Sequence, residues 1–245
     1  MAGFRRGRYV ARVAEGAGDR AAAIALRTLC FRGAEADPGA DADGFDTLCQ
    51  HMLVEDTADG RLVCCFRLLP LASGAAIEGS YAAQFYDLHN LHAFDGPIME
   101  MGRFCIHPDI RDPDVLRVAW GAMTRFVDDA GVELLFGCSS FKGTEATAYM
   151  DAFALLKERH LAPKRWLPRV KAPRVFRFSN RLKLRKPNLK AAMQGMPPLL
   201  RSYLVMGGWV SDHAVIDNDL NTLHVFTGLE IRAIPAVRKR LLRAT

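Results

Sequence analysis

The first third of the chain places short apolar runs on either side of one helical pattern. Residues 8–14 predict a first strand, and residues 19–32, rich in Ala and Leu, predict a helix with Asp19 as its N-cap. Residues 51–56 and 61–71 predict a hairpin around a polar turn. Because residues 61–71 are apolar on both faces, we expect that strand to be central in its sheet.

The rest of the chain continues this alternation of strands and helices. A short helix and a loop are expected at residues 81–95. The strands are predicted at residues 98–107, 132–139 and 223–231, and the helices at 113–131, 145–159 and 197–206. The order predicts an α/β fold over residues 1–245: one domain with a mixed central sheet flanked by helices and a C-terminal element at about 195–231.

Two charged residues interrupt the apolar strand at 98–107. Glu100 and Arg103 each carry a desolvation cost there unless they are paired or used. A buried carboxylate is a candidate general base, and an arginine beside it suits an anionic group of a substrate. Strict alternation places positions 100 and 103 on opposite faces of a strand, so both serve one site only if a bulge near Gly102 intervenes.

Composition narrows the classes of protein. Half of the residues are apolar, yet no stretch is long enough to span a membrane, and no apolar run follows the basic N-terminus as in a secretory signal. The six cysteines form no CxxC pair and lie mostly in apolar runs, which indicates reduced thiols in a cytoplasmic protein and no zinc site. We predict no metal and assign no catalytic role to a histidine or a cysteine.

The net charge of +6 conceals a basic segment at residues 157–190. It holds 13 Lys or Arg and one acid, Glu158, so it carries +12 and the remaining residues sum to −6. Such a block suits an acidic protein, an anionic membrane or a nucleic acid, with a solvated loop as the alternative. Three aromatic residues, Trp166, Phe176 and Phe178, lie among these charges and favour an interfacial or docking role.

Seven positions along the chain resemble the acyl-homoserine-lactone synthase branch of the GNAT (Gcn5-related N-acyltransferase) superfamily. They are Arg27, Phe31, Asp43, Asp46, Arg67, Glu100 and Arg103. Longer segments resemble the ornithine N-alpha-acyltransferases of ornithine-lipid synthesis more closely. These segments are residues 45–54, 100–108 (EMGRFCIHP), 136–144, 160–163, 197–203 and 214–222. The last of them argues against a lactone synthase, which the resemblance implies would lack it.

The resemblance implies a GNAT-like fold and an acyl transfer to an amine. Glu100 would then be the general base, with an ion pair to Arg67 or Arg103 as the structural alternative. Arg103 would bind the carboxylate of the amino acid, and Asp46 would contact the side-chain ammonium of ornithine. Asp46 suits a turn or a cap equally well.

Five further residues are assigned to substrate binding by the same resemblance. Arg27 and Phe31, which share a helix face, would lie along the path of the acyl chain or the pantetheine, and Arg67 would face the same site. Ser139 and Ser140 would assist at the carbonyl or the amine. Ordinary core packing for the helix face and ordinary strand-end serines are the alternatives.

The loop at residues 108–114 bears on the acyl donor. Ordinary GNAT acetyltransferases bind the coenzyme A pyrophosphate on a glycine-rich turn, whereas this loop has no glycine, two prolines and three acids. We therefore expect no separate cofactor and an acyl carrier protein, with its phosphopantetheine arm, as the donor that docks on the basic segment. The expected product is a lyso-ornithine lipid carrying a 3-hydroxyacyl chain.

Expected partners are thus the carrier protein, ornithine and an anionic membrane surface, without nucleic acid. The protein is expected in the cytoplasm, peripherally on the inner face of the membrane. Three alternatives stay open: the same reaction on glutamine or lysine, a lactone synthase using S-adenosylmethionine, and a non-enzymatic membrane- or nucleic-acid-binding module.

Overall fold

A computed structural model of the protein describes residues 3–243. The contacts divide the chain into two compact units, of which the first holds residues 3–70, 101–132 and 236–243 and the second holds residues 71–100 and 133–235. The expectation of a single domain over residues 1–245 stays a prediction, and residues 1–2 and 244–245 lie outside the described part of the chain.

The first unit is an antiparallel sheet with helices. Its elements are β1 (Phe4–Arg6), β2 (Tyr9–Val13), α1 (Gly16–Phe31), β3 (Gln50–Asp56), β4 (Leu62–Leu71), the later part of β6 (Ile98–Ile106), α2 (Pro113–Asp129) and α7 (Ala236–Arg243). The strand order is β1-β2-β3-β4-β6. The predicted hairpin is confirmed, with Leu53 opposite Cys65 and Val54 opposite Cys64, and Gly60 takes the positive φ of 73° that its turn requires.

The second unit combines a mixed sheet with short helices. Its elements are β5 (Tyr86–Asp87), the start of β6, β7 (Leu134–Lys142), α3 (Met150–Arg159), β8 (Arg169–Val170), β9 (Val175–Phe176), α4 (Phe178–Arg181), α5 (Leu189–Gly195), α6 (Pro198–Val205), β10 (Trp209–Val210), β11 (Ala214–Asp217) and β12 (Thr222–Glu230). Its main strand order is β6-β7-β12-β11-β9, in which β6 and β7 run parallel and the other neighbours antiparallel.

The cores follow from the apolar pattern of the central strands. In the second unit, Phe136 of β7 stacks on Phe226 of β12 with ring centroids 5.7 Å apart, and Tyr86 packs edge-on against Phe226. In the first unit, α1 buries Ala23 and Leu26 against Leu53 and Cys65. The mixed α/β fold class is confirmed.

Several predicted boundaries are wrong in an instructive way. Helix α1 begins at Gly16, and Asp19 is not its N-cap but lies in the first turn, where its carboxylate accepts the Glu15 N–H at 2.7 Å. Residues 81–95, predicted as a short helix and a loop, form two short 3-10 helices with β5 between them. Strand β7 continues to Lys142, so Ser139 and Ser140 are not at a strand end.

The basic segment is folded rather than a solvated loop. It contributes β8, β9, α4 and the start of α5 to the second unit. Trp166 and Phe178 are buried, at 8% and 0% exposed, so the prediction that they lie at an interface is wrong. No helix among residues 3–243 combines the length and the apolar character needed to cross a membrane.

Candidate active site

Glu100 is buried in β6 and held by two backbone donors of the second unit. The Tyr81 N–H donates to its Oε2 at 2.8 Å and the Ala82 N–H to its Oε1 at 2.7 Å. Ala82 begins a 3-10 turn that extends to Gln84, so the carboxylate fixes the start of that turn. These two backbone hydrogen bonds fix the position and orientation of the buried carboxylate in β6.

A network of three arginines and three aspartates fills the first unit. Its members are Arg27, Asp41, Asp43, Asp46, Arg67 and Arg103. Each of the three carboxylates contacts at least two of these guanidinium groups, and Arg32 also approaches Asp41 Oδ1 at 3.7 Å; buried charges are tolerated when they are paired in this way. Four elements supply the residues: α1, the acidic loop that follows it, β4 and β6.

Arg27 joins two of the aspartates. It is 1% exposed, and its Nε donates to Asp41 Oδ2 at 2.8 Å while its Nη1 donates to Asp46 Oδ1. Its Nη2 also donates to the backbone oxygen of Asp41 at 2.5 Å. The predicted helix face is thus occupied by a fully paired guanidinium, which orders the acidic loop against α1.

Arg67, on β4, binds the same acidic loop. It donates to both oxygens of Asp43, at 2.5 and 2.8 Å, and to Asp46 Oδ1 at 2.7 Å. Burial acts to raise the pKa of Asp46, but hydrogen bonds from Arg27, the Asp43 N–H and Arg67 outweigh it and lower that pKa to about 2. Burial likewise acts to raise the pKa of Asp43, and the Arg67 guanidinium overcomes it, so that the pKa is lowered.

Arg103 has a backbone conformation that is unusual in a strand. Its φ is +53°, a left-handed conformation in β6 next to Gly102, where a bulge was the condition for positions 100 and 103 to serve one site. Its side chain donates to Asp41 Oδ2 at 3.0 Å and to Asp43 Oδ2 at 3.4 Å. A substrate carboxylate would therefore have to share Arg103 with two aspartates, and this role stays a prediction.

Asp41 is the member that the sequence analysis missed. Its side chain is fully buried and its Oδ2 bridges Arg27 and Arg103. It lies among several acidic residues of one loop, all of a type that suits a turn, and nothing in the sequence separates it from the exposed Asp37. Only the packing of the loop shows which carboxylate the arginines select.

The other residues that were predicted to bind substrate, Phe31, Ser139 and Ser140, are not members of the charged network. Phe31 is half-buried and packs against the core beneath α1. Ser139 is buried and its Oγ accepts a hydrogen bond from the Thr227 hydroxyl at 2.9 Å, whereas Ser140 is exposed. Because neighbouring residues of a strand face opposite sides, the two serines do not share one site.

Two buried histidines, His51 and His224, lie within hydrogen-bond distance of other groups. His51 lies with its Nε2 3.0 Å from the backbone oxygen of Asp46, and burial lowers its pKa. A second buried group, missed in the sequence, joins Tyr86 to His224: the Tyr86 hydroxyl donates to the His224 backbone oxygen at 2.8 Å. In the part of the chain that the structure describes, no three His, Cys, Asp or Glu side chains are grouped to hold a metal ion.

Comparisons with known proteins bear on this geometry. The acetyltransferase (GNAT) domain family matches residues 27–121, a range that holds Glu100 and the whole charged network. An L-ornithine N(alpha)-acyltransferase of Rhodobacter capsulatus is 33% identical over 199 residues, 79% of this chain and 76% of that protein. Another of the same name, from Brucella abortus, is 31% identical over 237 residues, 89% of this chain and 84% of that protein.

A solved structure gives a likeness of fold alone. FeeM, an N-acyl amino acid synthase from uncultured soil microbes, has a TM-score of 0.50 and 11% identity, and the match covers 92% of each chain. At that identity the match supports the arrangement of strands and helices and carries no assignment of substrate.

Proposed function

Because the chain belongs to the L-ornithine N(alpha)-acyltransferase family, we propose that it transfers an acyl chain to the α-amine of L-ornithine. The observation that carries this proposal is the identity of 31–33% with two relatives of that name over most of each chain. The reaction is the aminolysis of a thioester. A C–N bond forms, the C–S bond breaks, and the amine proton must be removed before or during attack.

Glu100 is the residue we assign to that proton. Its two backbone hydrogen bonds fix the orientation of the carboxylate, which can accept a proton from the amine directly or through a water. The α-ammonium gives one proton to Glu100, from which it passes to solvent, and the proton that the nitrogen loses after attack goes to the leaving thiolate. The net products are therefore the amide, the thiol and one H⁺. Positioned proton transfer of this kind contributes about 10²- to 10⁴-fold in rate.

The charged network fixes the acidic loop within the first unit. Both oxygens of Asp46 already accept hydrogen bonds, from Arg27 and Arg67 at Oδ1 and from the Asp43 N–H at Oδ2. Direct contact of Asp46 with the ornithine ammonium would add a third cation to a saturated carboxylate. We therefore propose that Asp46 acts chiefly by holding the acidic loop, and that any contact with substrate is secondary.

An acyl carrier protein is the donor we propose. At the start of α2, where the related acetyltransferases bind pyrophosphate, Asp112 Oδ1 accepts the Asp114 N–H at 2.9 Å and Pro113 has no N–H to offer. That backbone hydrogen bond lowers the pKa of Asp112, so the cap is anionic and repels phosphate. The exposed cations of segment 157–190 suit an acidic carrier instead.

The product in this proposal is a lyso-ornithine lipid with one amide-linked 3-hydroxyacyl chain. Such a molecule partitions into a bilayer, which supports a peripheral location on the cytoplasmic face of the membrane. The basic segment carries +12 and offers a surface for anionic lipid.

One assay tests donor, acceptor and product together. Purified protein is incubated with 3-hydroxyacyl carrier protein and an equimolar mixture of amino acids, and the products are identified by mass spectrometry. N-acyl ornithine supports the proposal, whereas N-acyl glutamine or N-acyl lysine retains the reaction class and overturns the acceptor. Product formation from 3-hydroxyacyl-coenzyme A at an equal rate would overturn the assignment of the donor.

A further inference from the structure

One apolar side chain of the second unit stands almost entirely in solvent. Leu184, in the turn that joins α4 to α5, is 98% exposed, whereas Leu182, two residues earlier, is buried under the same turn. Two more apolar side chains follow on α5: Leu189 is 48% exposed and Met193 is 43% exposed. They are four residues apart and so share one face of the helix.

The turn is held in place by the rest of its unit. The Lys157 ammonium donates to the backbone oxygens of Leu182 at 2.8 Å and Arg185 at 3.1 Å. The Arg185 N–H closes the turn on the Leu182 oxygen at 3.0 Å. Arg185 also pairs with Asp151 on α3 at 3.1 Å. The exposure of Leu184 is therefore imposed by specific bonds, and burying it within the unit would break them.

Cations surround this apolar tip. Arg181, Lys183, Lys186 and Lys190 are all exposed. The sequence has no Asp or Glu between residues 159 and 211, so acids that neutralise these cations must come from elsewhere in the chain or from a partner. A convex turn with a leucine at its tip and cations around it matches the interfacial region of an anionic bilayer, where headgroup phosphates lie above acyl chains.

We propose that residues 181–193, hereafter the basic turn, bind an anionic lipid bilayer by inserting Leu184 among the acyl chains. Lys183, Lys186 and Lys190 then contact the headgroup phosphates, and Leu189 and Met193 lie at the level of the glycerol backbone. The inference deepens the proposed function, on which it rests, by naming the surface and the lipid class. Trp166, the anchor that the sequence favoured, takes no part because it is buried.

Vesicle co-sedimentation of the full chain tests this surface. Wild-type protein is expected to bind vesicles of phosphatidylcholine with phosphatidylglycerol and not vesicles of phosphatidylcholine alone. Leu184→Asp is expected to weaken binding by about tenfold or more. It removes the leucine that inserts into the bilayer and adds a negative charge that the anionic lipid repels. Lys183→Ala and Lys186→Ala are each expected to weaken it about fivefold, from the contribution of one basic residue near such a surface.

The matched control is Val205→Asp on α6, an apolar residue of the same unit that is also half-exposed. It is expected to bind vesicles as the wild type does. Because Leu184 makes so little contact, its variant is expected to unfold at the same temperature as the wild type, which a thermal scan checks. Wild-type indifference to phosphatidylglycerol, or equal binding by Leu184→Asp, would overturn the proposal.

An activity assay without vesicles distinguishes a failure of this inference from a failure of the proposed function. Leu184→Asp is expected to acylate ornithine at the wild-type rate from a neutral acyl-pantetheine thioester, a donor that does not need the basic segment. If it instead raises the KM for the carrier and leaves vesicle binding intact, the basic turn is the carrier's docking site and the lipid assignment is wrong. If the wild type binds vesicles through Leu184 but makes no N-acyl ornithine, the proposed function fails and the lipid surface stands.

Discussion

Glu100 is the residue on which the proposed chemistry depends. We predict that Glu100→Gln lowers the rate of N-acyl ornithine formation by at least about 10²-fold, because an amide cannot accept the amine proton. The same change leaves one of the two backbone N–H donors without a good acceptor, which costs about 1–3 kcal/mol of folding free energy. Steady-state kinetics with carrier-bound substrate, together with chemical denaturation, measure the two effects separately.

The control for this variant is Glu145→Gln, on an exposed residue that makes no cap bond in its 3-10 turn. It is expected to leave rate and stability unchanged. A Glu100→Gln enzyme with full activity would show that another group or bulk water takes the proton, even though the family assignment would stand.

The buried aspartates make a prediction about stability in acid. The pKa of Asp46 is about 2 in the folded protein and about 3.9 in an unfolded chain. A lowered folded pKa contributes stability that is fully present above about pH 4 and is lost as the pH falls toward 2, here about 2–3 kcal/mol. Urea denaturation of the wild type over that range is expected to show this loss.

Asp46→Asn separates this residue from the general effect of acid. The variant leaves Arg27 and Arg67 with one buried anionic partner fewer, so we expect it to lose about 3–5 kcal/mol at pH 7. It is also expected to show a shallower decline below pH 4. Asp37→Asn, on an exposed acid of the same loop, serves as the control and should change neither quantity.

At the scale of single residues, the sequence indicates which residues are candidates for the site better than it indicates which residues they contact. Glu100 and Arg103 could be selected from sequence because charge is unexpected in an apolar strand. A bulge near Gly102 could be named only as a condition, and the positive φ of Arg103 could not be predicted, since nothing local forces a left-handed arginine. Asp41 could not be selected at all, because its burial results from long-range packing of the acidic loop between Arg27 and Arg103.

Helix α2 allows a test at the scale of an element. Asp112 caps its first turn, and its second oxygen lies 3.1 Å from the donating Tyr9 hydroxyl of β2. We predict that Asp112→Ala lowers the free energy of unfolding by about 1–2 kcal/mol through the lost cap. Asp129→Ala, at the opposite end of the same helix, should not destabilise it, because a carboxylate there opposes the helix dipole. Equal losses of unfolding free energy in both variants would show that Asp112 does not stabilise α2 as an N-cap.

The long elements could be predicted and the short ones could not. Strands such as β4 and β6 span nine or ten residues and show their apolar pattern clearly. The 3-10 turns between Gly74 and Ala93 have three to six residues, less than two turns of an α-helix, so they show no usable periodicity. β8 and β9 have two residues each and depend on distant partners, β5 and β11, for their existence.

At the scale of the whole molecule, the distribution of charge was visible in the sequence but the exposure of its aromatic residues was not. A count of Lys and Arg needs no geometry, so the basic segment was evident. Trp166 and Phe178 were assigned to an interface because they alternate with cations, yet the cations point outward from a folded segment whose aromatic side chains form its core. Alternation of this kind is also what a thin, folded layer with one polar face produces.

The charge distribution predicts how the enzyme responds to salt. If segment 157–190 attracts an acidic carrier protein, the KM for acyl carrier protein should rise by about tenfold or more as the ionic strength increases from about 0.05 M to about 0.5 M, because the Debye length shrinks below the separation of the charges. The kcat should change little, since the chemistry at Glu100 follows docking. A neutral acyl-pantetheine thioester is the matched donor, for it carries the same acyl group without the acidic protein and should show no such rise. If salt raised the KM for both donors equally, its effect would be on the enzyme's stability or on ornithine binding. The carrier protein would then not dock on the basic segment.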